Sequence, residues 1–202
     1  MTRTAAKKKS AKRAAIPSVF RPRDLEALGL PRSRLRAMLR KGEAEQIGRG
    51  LYRLRSTPVT ERETIALVAK RMPRAIVCLL TALSVHEIGT QAPREVWIAL
   101  DRKARKPAPQ GLPVRTVRYS GRMLTYGIES REIQGVKVRI TSPARTVVDC
   151  FRYRSKIGLD VALEALRDAL RSRKATVDQI LRAAEACRAR TVIRPHLEAM
   201  SS

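Results

Sequence analysis

Aromatic side chains are scarce: Phe, Trp and Tyr make up 3% of the 202 residues. That scarcity argues against reading single-stranded nucleic acid by base stacking, which needs platforms of such rings. Acidic residues are also few, 18 Asp and Glu against 43 Lys and Arg, for a formal net charge of +25. A balance so one-sided points to a polyanionic partner, nucleic acid or an anionic membrane surface, and charge alone does not choose between DNA, RNA and lipid. The three cysteines, Cys78, Cys150 and Cys187, are widely spaced, odd in number and form no CxxC pair. This excludes a disulfide scaffold or a cysteine zinc site, and they are expected to be buried small apolar residues in a reducing cytosol. The basic N-terminus has no apolar segment behind it, so no secretory signal is expected. The longest apolar run, residues 75–85, is too short to span a bilayer. A soluble cytoplasmic protein without a membrane partner is expected.

What is present is a 44% hydrophobic content, enough for a real core, in a length suited to one large or two small domains. Residues 1–15 contain Arg3, Lys7, Lys8, Lys9, Lys12 and Arg13 and no acid, and read as a disordered basic arm. Residues 16–58 read as a winged helix-turn-helix. Pro22 opens a helix to about Leu28, Gly29 makes the turn, Pro31 opens a second helix and Gly42 closes it. Gly48-Arg49-Gly50 tips a hairpin over residues 46–54. Residues 59–202 read as a mixed α/β domain with a helical C-terminus, making the whole chain α+β. The elements expected there are helices at 60–72 (capped by Thr60 with Glu63) and 75–88, and strands at 96–100 and 114–119. A hairpin over 128–140 turns at Gln134-Gly135. Helices follow at 143–153 and 159–173, and a last one begins at Thr176 with Pro195 interrupting it.

The second helix of the first domain carries the functional expectation. At 3.6 residues per turn, Leu35, Met38 and Leu39 share a core side, and Ser33, Arg36, Ala37 and Arg40 point the opposite way. No acid lies between Pro31 and Gly42. In a helix-turn-helix this element enters the major groove, where arginine's planar fork can bond guanine O6 and N7 together. Arg32, Ser33 and Arg36 are the candidate base readers. Arg34, Arg40 and Lys41 are candidate phosphate contacts, which position the protein without reading sequence. Arg49 at the wing tip and Arg53 on its strand complete the candidate DNA-binding set.

A family resemblance becomes visible on these residues. The run RPRDLEALGLPRSRLRAMLRKGEAEQIGRGLYRL at 21–54 is similar to the N-terminal domain of AbiEi-type antitoxins, the DNA-binding half of type IV abortive-infection toxin–antitoxin pairs. Ile76-Val77-Cys78-Leu79-Leu80-Thr81-Ala82-Leu83-Ser84, VWIAL at 96–100 and TSPARTVVDCFRYRSKIGLDVALEAL at 141–166 resemble its C-terminal part. The likeness implies a winged-helix repressor that binds double-stranded DNA repeats upstream of its own operon. It also implies an effector domain opposing a nucleotidyltransferase-like toxin encoded nearby, in phage defence. The chain departs from the family ahead of Arg21. The family has an amphipathic helix there, and this chain has lysine and alanine with only Ile16, Val19 and Phe20 as sizeable apolar groups.

No catalytic set is recognisable. His86 and His196 are the only histidines, with no HExxH, no GxSxG elbow and no P-loop, and no cofactor or metal is expected. His86 reads as a core or boundary residue, and Arg145 with Asp149 as an intrahelical ion pair. The alternatives are a winged-helix regulator without a toxin, a structured-RNA-binding protein, and a nuclease using Glu95, Asp101 and Lys103 around the VWIAL strand.

Overall fold

The computed structural model describes residues 16–56, 60–105 and 111–201. The basic arm, part of the 101–113 loop and any helix ahead of Ile16 lie outside the described residues. The chain separates into two compact units, divided between residues 58 and 59.

The first unit runs β1 (Val19–Phe20), α1 (Pro22–Ala27), α2 (Arg32–Arg40), β2 (Ala44–Gly48) and β3 (Leu51–Leu54). Pro22 opens α1, and Asp24 accepts the Arg21 N–H at 2.7 Å, satisfying a free donor at the helix start. Gly29, at φ 73°, ends α1: its N–H reaches Glu26 O at 2.9 Å and Leu30 N–H reaches Leu25 O at 2.9 Å. This paired-bond cap needs a left-handed residue and turns Leu30 back onto the core. Gly42 ends α2 in the same way, with Glu43 N–H on Met38 O at 2.9 Å.

β3 lies between β1 and β2, antiparallel to both. The core is Phe20, Leu25, Leu35, Met38 and Ala44, with Tyr52 stacked on Phe20 at 5.9 Å between ring centres. β1 is too short to show any sequence period and exists because β3 offers it a partner. Leu39 departs from expectation: it is 38% exposed, because Leu35 and Met38 fill the small core and leave Leu39 on the flank.

The second unit runs α3 (Glu61–Arg71), β4 (Ile76–Val77), α4 (Leu79–His86), β5 (Val96–Asp101), β6 (Val114–Tyr119), a 3₁₀ turn (Gly121–Leu124), β7 (Ile128–Ile133) and β8 (Val136–Thr141). Helices α5 (Pro143–Arg152), α6 (Arg154–Ile157), α7 (Leu159–Arg171), α8 (Val177–Ala186) and α9 (Arg190–Ser201) follow. The sheet order is β6-β5-β4-β8-β7, parallel between β5 and β6 and between β4 and β8, antiparallel elsewhere.

Strand alternation sorts the side chains into two layers. Val77, Val96, Ile98, Leu100, Val138 and Ile140 pack with Ile65, Ala66 and Val68 of α3. Ile76, Trp97, Ala99, Val117 and Tyr119 face the remaining helices. β5 is covered on both faces, which is why VWIAL reads as an unbroken apolar run. Among these helices α5 is central, buried from Ala144 to Phe151.

Two expectations are corrected here. The apolar stretch 75–88 begins as strand β4 before turning into α4 at Leu79. An apolar run buried on all sides has no period to distinguish the two states. The last helix is two: α8 ends at Ala186, Arg188 is left-handed at φ 54°, and Ala189 N–H bonds Ala184 O at 2.8 Å. Pro195 sits inside α9 on its exposed side, where the freed carbonyl of Thr191 can meet water. Among the described residues, no helix is long and apolar enough to cross a membrane.

Candidate nucleic-acid interface

Helix α2 presents Arg32, Ser33, Arg34, Arg36 and Arg40 as exposed side chains, followed by exposed Lys41. Three of the expected contacts are held by acids of the same unit. Arg32 Nε meets Glu26 Oε1 at 2.5 Å, and Arg34 meets Glu43 at 3.3 Å. Arg53 pairs with Glu45, its cross-strand neighbour, and Arg55 shares that carboxylate at 3.3 Å. The two arginines hold the Glu45 carboxyl below the usual range, chiefly through the Arg53 hydrogen bond. Among the described residues, Arg36, Arg40, Lys41 and Arg49 have no such acidic partner, so their charge is open to an incoming anion. Arg49 stands exposed at the tip of the β2–β3 hairpin, in the turn closed by the Gly48 and Leu51 pair. Sequence spacing showed the cationic face but not the three ion pairs, because Glu26, Glu43 and Glu45 come from other elements.

The second unit has a polar centre of a different kind. Arg145 and Asp149 are both 0% exposed, with Arg145 Nε donating to Asp149 Oδ1 at 2.9 Å. Tyr119 donates its hydroxyl to Asp149 Oδ2, and the Arg145 guanidinium lies 4.9 Å from the Tyr119 ring centre. The remaining guanidinium donors reach Tyr126 O at 2.8 Å and Met123 O at 3.3 Å. Burial raises the Asp149 carboxyl, against the downward pull of Arg145 and the Tyr119 hydrogen bond. Burial and then the Asp149 charge raise the Tyr119 phenol, so it remains the donor. The intrahelical pair expected from spacing is therefore present, but as the fully desolvated hub joining β6, the 3₁₀ segment and α5.

The three cysteines are buried as expected, and burial raises each thiol, Cys187 to about 11. His86 is also buried, its Nε2 2.6 Å from Thr141 O, so that nitrogen carries the proton. Burial lowers its pKa below 6.5, helped by nearby Arg131 and Lys174 and opposed by the Thr141 hydrogen bond and Glu129. The unfolded chain therefore takes up the proton first as pH falls. The His86 contribution to stability is complete above pH 6.5 and is lost on acidification towards its lower folded value. Urea midpoints of the second unit should drop between pH 7.5 and 5, and His86→Gln should flatten that part of the profile.

The nuclease candidates are not brought together. Glu95 and Asp101 stand at opposite ends of β5, about 20 Å apart at the rise of a strand. Glu95 faces Arg115 at 3.8 Å, and Asp101 accepts the Lys103 N–H at 2.9 Å. Among the described residues, no group of three His, Cys, Asp or Glu could hold a metal.

Two helices joined by a tight turn, a cationic second helix and a two-stranded wing define the first unit as a winged helix-turn-helix of the transcriptional-regulator class, followed by an α/β domain. Residues 13–55 match the family described as transcriptional regulator, AbiEi antitoxin, and residues 75–197 match the AbiEi antitoxin C-terminal domain. The second match alone covers more than half of the sequence, and the chain belongs to the AbiEi antitoxin family. Among solved structures, the RV2827C protein from Mycobacterium tuberculosis is similar, with a TM-score of 0.53 at 16% identity. The match covers 84% of this chain and 67% of that one, and at this identity it shows a shared fold. No curated protein matches.

Proposed function

We propose that the protein is the DNA-binding antitoxin of a type IV toxin–antitoxin pair. It represses its own operon by binding upstream repeats and counters a nucleotidyltransferase-like toxin encoded beside it. The observation that supports this most is the open cationic face of α2 beside an arginine-tipped wing, in a chain whose remaining length matches the antitoxin domain. On this reading Arg32, Ser33 and Arg36 meet base edges. Arg34, Arg40 and Lys41 grip phosphates, and Arg49 and Arg53 extend the contact along the wing. Glu26, Glu43 and Glu45 compete with the duplex for Arg32, Arg34 and Arg53, which restrains indiscriminate binding.

Footprinting the full chain on its own upstream DNA across a salt series, against a random duplex, tests the repressor half. A discrete protected repeat that survives moderate salt is expected. Equal, salt-labile coating of both duplexes would overturn it. The antitoxin half is tested with the full-length Arg36→Ala/Arg40→Ala variant. It should lose repression of the promoter while still rescuing growth from the toxin. Loss of both together would refute the assignment of the two tasks to the two units.

A further inference from the structure

The positive charge is not confined to the winged unit. Residues 59–202 hold 27 lysines and arginines against 14 aspartates and glutamates, an excess of 13. DNA reading by α2 and the wing gives this excess no task. Part of it converges at one place, where the turn from α5 into α6 meets the corner between α8 and α9. There a crevice of about 380 Å³ is lined by Arg152, Tyr153, Arg154, Lys156, Arg188 and Val192 among others, with no acidic residue in its wall.

Tertiary structure makes this site. Arg152–Lys156 and Arg188 are more than thirty positions apart in sequence. The corner is fixed by Arg152 donating to Cys187 O at 3.0 Å and by the left-handed Arg188. Arg152, Arg154, Lys156 and Arg188 are all exposed. Arg152 and Arg154 donate to backbone carbonyls, Arg154 to Phe151 O at 3.0 Å, and among the described residues none of the four cations forms an ion pair with a carboxylate.

We propose that this crevice is a second polyanion-binding surface, one that holds the phosphodiester backbone of a nucleic acid. The comparison on flanked repeats rests on the repressor reading, whereas the comparison on RNA concerns the second unit alone. Its chemistry favours phosphate over an acidic protein face. Arginine and tyrosine also anchor protein interfaces, but there they sit among well-packed, desolvated apolar contacts. Here the long side chains are cations, and the apolar wall is the half-buried Tyr153 and Val192. Arg154 and Arg188 also suit phosphate, whose oxygens accept two parallel N–H bonds from one guanidinium. The backbone could belong to DNA flanking the repeats or to a duplex RNA, and both present the same group.

The test compares the full chain with Arg154→Gln/Lys156→Gln/Arg188→Gln and with a control losing the same charge elsewhere, Arg167→Gln/Arg171→Gln/Arg173→Gln. Affinity is measured against salt for three probes: the repeats with long flanks, the repeats trimmed bare, and a duplex RNA of unrelated sequence. Each phosphate contact contributes roughly 0.9 to the slope of log affinity against log salt on B-DNA. The crevice variant should therefore lose roughly 2–3 of slope on flanked DNA or on RNA, with trimmed repeats unaffected and the control unchanged. Loss on flanked DNA assigns the crevice to the operator's surroundings, and loss on RNA assigns it to RNA. Unchanged slopes on both, or equal loss in the control, would overturn the proposal. Failure of wild type to prefer the repeats would refute the repressor reading instead and leave the RNA comparison intact. Should the triple variant not fold, Lys156→Gln alone should remove roughly 0.9 of slope, and no change there would equally overturn it.

Discussion

Asp149→Ala should destabilise the second unit by about 3–5 kcal/mol, because it leaves the Arg145 guanidinium charged, buried and short of its counter-ion. Arginine does not escape by losing its proton, and Arg145 is 0% exposed, so water cannot take the place of the carboxylate. Tyr119 would lose its acceptor in the same step. Against a typical total of about 5–15 kcal/mol, such a loss brings the unit close to its unfolding threshold.

The triple replacement Arg145→Met/Asp149→Leu/Tyr119→Phe should recover much of the loss, since these apolar groups need no partners and only the Tyr126 and Met123 carbonyls are left without their donor. Urea unfolding at pH 7 checks both. A single variant that unfolds within about 1 kcal/mol of the parent would mean that water reaches the guanidinium, and the hub would not be the anchor described.

Arg36→Ala should weaken binding to the protected repeat by about 1–3 kcal/mol and binding to random duplex by much less. Arg36 has an exposed side chain on the outer face of α2 and no acidic partner among the described residues. Its fork is free to engage a base edge without first giving up an ion pair. Arg32 differs. The Glu26 hydrogen bond and charge hold its guanidinium more firmly protonated and tie it at the helix start. Glu26→Gln should therefore act in the opposite direction to Arg36→Ala. Titrations of specific and random duplexes at one salt concentration decide this. Equal losses on the two would make Arg36 a phosphate contact.

Much of the architecture was legible in the sequence where a local rule acts alone. Pro22, Gly29, Pro31 and Gly42 mark helix ends through φ preference and missing or needed N–H groups, and the structure places caps at those positions. Ser142 and Pro143 mark α5 in the same way. Where burial is complete on all sides, periodicity carries no information. Residues 75–88 therefore read as one helix although β4 precedes α4. Leu39 is exposed for a related reason: a helical period shows which face is apolar but not how wide a core awaits it. At the interface, residue type and spacing revealed the cationic face of α2. They could not show that Arg32, Arg34 and Arg53 are each engaged by a carboxylate from a neighbouring element.

By itself, then, the sequence determined the charge, the helix-turn-helix with its wing, the order of most elements in the second unit and the family to which the chain belongs. These follow from composition and from interactions within a few residues along the chain. Only the tertiary structure decided which arginines are open and which are paired. It also made an ordinary i, i+4 ion pair into a buried hub with Tyr119, and gathered Arg152, Arg154, Lys156 and Arg188 around one crevice. Those outcomes depend on contacts between residues tens of positions apart and on the desolvation such contacts impose, and neither leaves a periodic trace in a single sequence.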